Sequence, residues 1–243
     1  MSVQSPHPQA RLELVRWTAR LGAVTAESLA GYGQASVASA RARLSAAERA
    51  GLLTSSRPLS QAPALFLVTP AGMRAAGLRG FEPTRVTPAN ARHAVACAAA
   101  AAVLAGAYPT HLVSGERELR RDEQAFGGAL ASAQLHVRGR RAQLHRPDLV
   151  LWPADTRQLP VAVEVELTVK APGRLLEICT AWARCRCVSG VLYLAAREAH
   201  RPLERAIGRA QAGGRITLVA LGELLGARGL REPPFEDPVA GDA

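Results

Sequence analysis

His145-Arg-Pro-Asp-Leu-Val-Leu-Trp152 and Val161-Ala-Val-Glu-Val-Glu-Leu-Thr-Val-Lys170 are the two stretches on which the reading of this chain turns. In the second, Val161, Val163, Val165, Leu167 and Val169 alternate with Glu164, Glu166, Thr168 and Lys170. A period of two puts these sets on opposite faces of a β-strand, so one face carries two carboxylates. If the strand that begins at Asp148 pairs alongside, a third carboxylate joins them, and Glu116 on a preceding helix supplies a fourth. Carboxylates gathered in this way repel one another unless a divalent cation or arginines neutralise them. The competing reading is an ordinary amphipathic strand with one wet face. The Pro147-Asp148 pair and the Glu116 helix favour a site.

Around this pair of strands the pattern predicts further strands at 134–137, 188–194 and 216–219, and helices at 173–184 and 197–211. The order of helix, three strands and then alternating helices and strands is that of an α/β domain over 107–230. Residues 231–243, rich in Pro and acids, read as a disordered tail. Residues 81–106 read as a Pro-containing linker followed by an alanine-rich helix that joins this domain to the N-terminal part. His93 lies on that helix and serves as a ligand only if other donors converge on it.

The N-terminal part has a different texture. Apolar positions at helical spacing mark a helix over 11–21 that breaks at Gly22. Thr25 heads a short second helix and Ser36 a longer third, with Val37, Ala40, Leu44 and Ala47 on one face and Gly51 as the stop. Two strand-like pieces, 52–55 and 65–69, follow across a polar loop that contains Arg57.

The chain has 243 residues, 48% of them hydrophobic, and a net charge of +10. A core of useful size is available, and the charge favours a polyanionic partner, of which nucleic acid is the commonest. Residues 1–106 hold 11 Arg against Glu13, Glu27, Glu48 and Glu82, so most of the excess lies in the first half. All basic residues except Lys170 are Arg, a compositional bias that explains the kind of cation but not its excess. Cys97, Cys179, Cys185 and Cys187 form no CxxC pair and no partnered His pattern, which speaks against zinc and for reduced thiols in a cytoplasmic compartment. The start, MSVQSPHPQAR, lacks the apolar core of a signal peptide, and the apolar run 94–107 is short and mainly alanine, so no membrane is expected. There is no Walker motif, nucleophile elbow or dinucleotide fingerprint.

The helix, helix, helix, hairpin order, closing with FLVTPAGMRAAGL, resembles the winged helix-turn-helix of many bacterial regulators over residues 9–80. That resemblance implies that the helix from Ser36 enters the major groove of double-stranded DNA. Ser36, Ser39 and Arg43 would then be turned outward, and Arg41 and Arg57 would lie on phosphates.

In the second half, Glu116, Pro147-Asp148 and Glu164-x-Glu166 stand in the order of the PD-(D/E)XK nuclease superfamily. More narrowly, SGERELR, HRPDLVLW, VAVEVELTVK and GRLLEICTAW resemble the replication-relaxation family of bacterial plasmids and integrated elements, which also carries an N-terminal winged helix. The resemblance implies Mg²⁺ held by Asp148 and Glu164 with Glu116 in support, and a catalytic set of Asp148, Glu164, Glu166 and Lys170. The chain departs from the motif where the superfamily has Glu-x-Lys, because here the third residue is Glu166. Lys170 shares the strand face, yet four extended residues place its Cα ~13 Å from that of Glu166, beyond ordinary reach.

Three functions follow from these expectations. The first is a DNA-binding protein of a mobile element, active in plasmid replication, relaxation or transfer control, with a nuclease-like domain that is intact or degenerate. The second is a Mg²⁺-dependent endonuclease. The third is a transcriptional regulator whose C-terminal domain oligomerises, a homodimer included, or binds a partner.

Overall fold

The computed structural model describes residues 8–135 and 143–226. The expected tail at 231–243, and the last two residues of the strand expected at 134–137, lie outside them.

Local capping chemistry sets the first four helices. α1 (Pro8–Leu21) ends at Gly22, whose φ of 86° needs a residue without a side chain. Thr25 caps α2 (Ala26–Gly33) in a reciprocal box with Ser28, and Gln34 rather than a glycine takes the left-handed position at its end. Ser36 caps α3 (Val37–Arg49) by accepting the Ser39 N–H. β1 (Leu53–Ser56) and β2 (Leu65–Val68) then form an antiparallel pair, and Thr69 caps α4 (Pro70–Ala75). Leu14, Val15, Trp17, Leu29, Ala40, Leu44, Leu53 and Phe66 close one core among these elements.

α5 (Pro88–Ala107) lies between the two halves, as the helix expected to join them, and it serves both. Ala91 and Val95 pack with Ala23, Leu65 and Leu67 of the first half. Ala96, Ala100, Ala101 and Leu104 lie on a central sheet. Its alanines allow that double approach, since a helix with larger side chains could not sit so close to two neighbours at once.

The sheet runs in the order β3 (His111–Gly115), β6 (Leu149–Pro153), β7 (Val161–Glu166), β8 (Gly190–Ala195), β9 (Ile216–Ala220). The first two junctions are antiparallel and the last two parallel, so the protein is a mixed α/β fold. α5 and α9 (Leu221–Gly226) cover one face, meeting Leu149, Leu151, Val163, Val165 and Leu194. α7 (Pro172–Arg184) covers the other with α8 (Arg197–Arg209), meeting Val150, Ala162, Val191 and Tyr193. α6 (Glu116–Phe126) follows β3 directly, and a small ladder pairs β4 (Ala133–Leu135) with β5 (Gln143–His145) beside α7.

The sequence pattern missed β3, β5 and α9. It also ran β7 three residues too long, because the alternation continues to Val169 while the strand stops at Glu166. Among the described residues no helix is long and apolar enough to cross a membrane.

The two halves meet at one close backbone approach. A Cβ placed on Gly115 would stand 2.5 Å from the Arg20 carbonyl oxygen and 3.2 Å from the Leu21 Cα. Both neighbours are backbone, so neither can swing aside. Gly115→Ala is expected to lower stability by about 1–3 kcal/mol, the usual cost of overpacking. Denaturant unfolding should show a lower midpoint with an unchanged slope, and an unchanged midpoint would refute the contact.

Candidate functional site

Asp148 stands just before β6, preceded by Pro147, and its side chain reaches across the end of the sheet. Oδ2 accepts the Val165 N–H at 2.8 Å. Oδ1 lies 3.3 Å from His93 Nε2. The neighbouring strand brings Glu164 to the same end, where its Oε1 meets His145 Nε2 at 2.7 Å and accepts the Trp182 N–H at 3.0 Å. Burial raises the Glu164 carboxyl above its usual range, the Asp148 charge adds to this and the His145 hydrogen bond opposes it. Asp148 and Glu164 are therefore on adjacent strands and feel each other's charge. Glu164 and Glu166 are only 5% and 4% exposed, so the acidic face of β7 is not a wet face but lies beneath α7.

Glu116 does not join them. Its backbone N–H donates to the Asp148 carbonyl at 3.0 Å, but its carboxylate pairs with Arg120 one turn along α6. Asp148, Glu164 and Glu116 do not gather their oxygens around one point; among the described residues the group that does so is His93, Cys97 and Asp148, with donor atoms within 4.8 Å of one another. Mg²⁺ requires a near-complete shell of oxygens. The donors beside Asp148 are instead a nitrogen and a sulfur, and Glu164 Oε1 is engaged by His145 and Trp182, so the expected Mg²⁺ set does not fit this arrangement.

Lys170 corrects another expectation. Because the chain bends after Glu166 instead of continuing as a strand, the Lys170 ammonium folds back and pairs with Glu166 Oε2. A carboxylate this deeply buried needs a cation, and Lys170 supplies it from one turn of chain away. Glu123, whose side chain is 1% exposed, follows the same rule: it pairs with Arg146 at 2.8 Å and accepts the Leu130 N–H.

On the N-terminal side, Ser36 is spent as a cap while Ser39 is exposed. Arg41 is exposed and loosely paired with Glu27 at 3.7 Å. Arg43 is not opposite the apolar stripe as expected but beside it, half-buried, where a side chain at Gly33 would come within 3.7 Å of its guanidinium. Arg57 is exposed in the β1–β2 connection. A cleft of about 430 Å³ opens at the carboxyl ends of β8 and β9, where Arg197, His200 and Arg201 share the lining with Glu223.

Sequence reasoning left His93 as a ligand without partners and gave no site role to Cys97, His145 or Trp182. The signal for the first two was present as a four-residue spacing on one helix, which puts both side chains on one face. Burial pushes the Cys97 thiol up to about 11, the Asp148 charge adding to it. The His93 imidazole is pushed up to about 12, with Cys97 the largest cause and the hydrogen bond to Asp148 adding against burial. Since the Cys97 thiol is neutral at pH 7, Asp148 is the anion that faces the imidazole there.

Cys185 and Cys187 are free thiols in contact, their sulfurs 3.2 Å apart, on the wall of a cleft of about 280 Å³ that also includes Ser132 and Gln134.

No family model matches the chain, and no curated protein matches it. Among solved structures it is similar to protein VC1899 from Vibrio cholerae, with 13% identity and a TM-score of 0.34 over 93% of this chain. The chain spans 56% of that protein's length. A TM-score of this size identifies no shared fold.

The contact between the two sulfurs has a measurable effect. The hydrogen bond with Cys187 pulls the Cys185 thiol down from 9.0 to about 6, burial opposing, and the same contact raises Cys187. A depressed pKa stabilises the fold above the unfolded value of 9.0, and that contribution is lost as pH falls through about 6. Thiolate absorbance should therefore show one step near pH 6. Cys97 and Cys179, both pushed up to about 11, stay silent there. Cys187→Ala should return the step towards its ordinary position, and a step that stays near pH 6 in that variant would contradict the contact.

Proposed function

We propose that this chain is a DNA-binding protein of a bacterial mobile element, acting in plasmid replication, relaxation or transfer control. In this reading residues 9–80 form a winged helix-turn-helix and residues 107–230 a nuclease-like domain that is degenerate in its metal set. The observation that carries the reading is α3. Its buried stripe of Ala40, Leu44 and Ala47 turns Ser39 and Arg41 outward, with Arg57 exposed in the hairpin that follows. A helix that offers hydroxyl and guanidinium groups beside an arginine-bearing loop suits major-groove and phosphate contacts. The net charge of +10 supports a polyanionic partner. The assignment to a mobile element rests on the resemblance of SGERELR, HRPDLVLW and VAVEVELTVK to the replication-relaxation family.

The degenerate reading of the second domain is supported by its carboxylates. Asp148 is engaged by Val165 and His93, Glu164 by His145 and Trp182, and Glu166 by Lys170. Each has a protein partner in the place where an oxygen-bound cation would compete. Cleavage is the other outcome open to such a domain, and plasmid DNA separates the two.

The test uses the full chain, because cutting after residue 80 would uncover Ala23, Leu65 and Leu67 where α5 covers them. The protein should bind duplex DNA, with affinity falling steeply as salt rises. Arg57→Ala should weaken all sequences alike and reduce the slope of log affinity against log salt by about 1. No duplex binding at low salt would overturn the proposal. Supercoiled plasmid incubated with Mg²⁺ should stay intact. Nicking that disappears in both Asp148→Ala and Glu164→Ala would replace the degenerate reading with an active nuclease.

A further inference from the structure

His93, Cys97 and Asp148 offer an imidazole nitrogen, a thiol sulfur and a carboxylate oxygen from two places 51 residues or more apart in sequence, at one end of the sheet. All three donor atoms lie within 4.8 Å of one another. His93 Nε2 lies 3.3 Å from Asp148 Oδ1, and Cys97 Sγ lies 3.6 Å from His93 Nδ1 and 3.8 Å from Nε2, so the thiol must turn about its Cα–Cβ bond to share an ion with Nε2. Tetrahedral zinc, with bonds of ~2.3 Å to sulfur and ~2.0–2.1 Å to nitrogen and oxygen, requires edges of ~3.3–3.4 Å and ~3.6 Å for these pairs. One edge already has the required length and the other is within a few tenths of an ångström of it.

The supports are also in place. Asp148 Oδ2 is fixed by the Val165 N–H, which leaves Oδ1 directed at His93. Such a hydrogen bond on the far oxygen is how metal-binding carboxylates are ordinarily held. His93 and Cys97 are one turn apart on α5, whose next turns are locked onto the sheet by Ala96, Ala100 and Ala101. The His93 side chain is 43% exposed, so the fourth position opens to solvent. Three protein donors and one open position describe a site that takes water as its last ligand.

We infer that His93, Cys97 and Asp148 form a binding site for a transition-metal ion of the Zn²⁺ class, with water as the fourth ligand. Nitrogen and sulfur donors select zinc-like ions over Mg²⁺. On binding, the S–H bond of Cys97 is replaced by a sulfur–metal bond and its proton passes to solvent. The His93 Nε2 likewise releases its proton to solvent and exchanges its contact with the Val165 carbonyl, at 3.2 Å, for the metal. The alternative occupant of this space is a proton: a metal-free His93–Asp148 ion pair. The inference does not depend on DNA binding.

The experiment uses the full chain, stripped with chelator and titrated with Co²⁺ in the absence of DNA. Cobalt bound to a thiolate gives a near-ultraviolet charge-transfer band, and a tetrahedral site gives strong visible bands. Cys185 and Cys187 are a second sulfur source, so the titration is made in a Cys185→Ser, Cys187→Ser background as well as in the unmodified chain. The bands should persist in that background and disappear in Cys97→Ser. His93→Gln should weaken Co²⁺ binding at least ~100-fold, since even supporting partners of a metal ligand are worth 10–100-fold. Asp148→Asn keeps an acceptor for the Val165 N–H while removing the charged donor. Zn²⁺ should raise the melting temperature of the background protein and leave that of Asp148→Asn unchanged, a readout that does not require the Cys97 variant to fold. Bands that survive Cys97→Ser, that vanish with the Cys185 and Cys187 pair, or that never form would leave the ion pair as the occupant and overturn the site.

Discussion

The hydrogen bond from the Val165 amide to the Asp148 carboxylate, 2.8 Å long, closes the end of the sheet where regular pairing has run out. The ladder between β6 and β7 begins at Leu149 opposite Val163, so Val165, two residues beyond it, has no partner on β6 for its N–H. The Asp148 side chain supplies the acceptor that the ladder lacks there. An unpaired amide in this position would be costly, so the carboxylate is held in place by the backbone's own requirement. That constraint aims its second oxygen at α5 and brings the helix that links both halves into register with the sheet edge. The structural and the chemical parts of Asp148 are two ends of one carboxylate.

Buried acids organise the surrounding elements. Glu164, Glu166 and Glu123 are each almost fully enclosed, and each finds its partner on a different segment: His145 on β5, Lys170 after β7, Arg146 before β6. Such pairs add little net stability, since removing two charges from water offsets most of their attraction. They do penalise alternative arrangements strongly, because any packing that separates a pair leaves a lone buried charge. The segment of His145 and Arg146 is thereby pinned to the sheet through Glu164 and to α6 through Glu123.

The parts of this molecule that could be read from sequence are those governed by local chemistry. Thr25, Ser36 and Thr69 announce their helices because a hydroxyl before an apolar run satisfies free amides wherever it occurs. The alternation of β7 placed Val163 and Val165 on one face and Glu164 and Glu166 on the other, correctly. It could not show that both acids are enclosed, or that Trp182, from a helix further along, donates to Glu164. Lys170 was misplaced by continuing the strand to the end of the pattern, although burial of Glu166 draws it back. Glu116 stands on the expected helix, but its carboxylate pairs with Arg120 and not with the site. Cys97 escaped notice and His93 was left without partners because the search was for paired cysteines, while the third donor, Asp148, lies 51 residues beyond Cys97 in the chain. β3, HLVSG, has no alternation because its partner β6 and the α1 backbone specify it instead.

The contact of Gly115 with the end of α1 removes a degree of freedom that two-part proteins commonly keep. With backbone against backbone, and Glu118 of α6 paired to Arg20 at 3.4 Å, any pivot of the first four helices on the sheet must first break both contacts. The spacing between the outward side of α3 and the end of the sheet at Asp148 is then set by this packing, in the way that a caliper's jaws are set by its lock and not by what they measure.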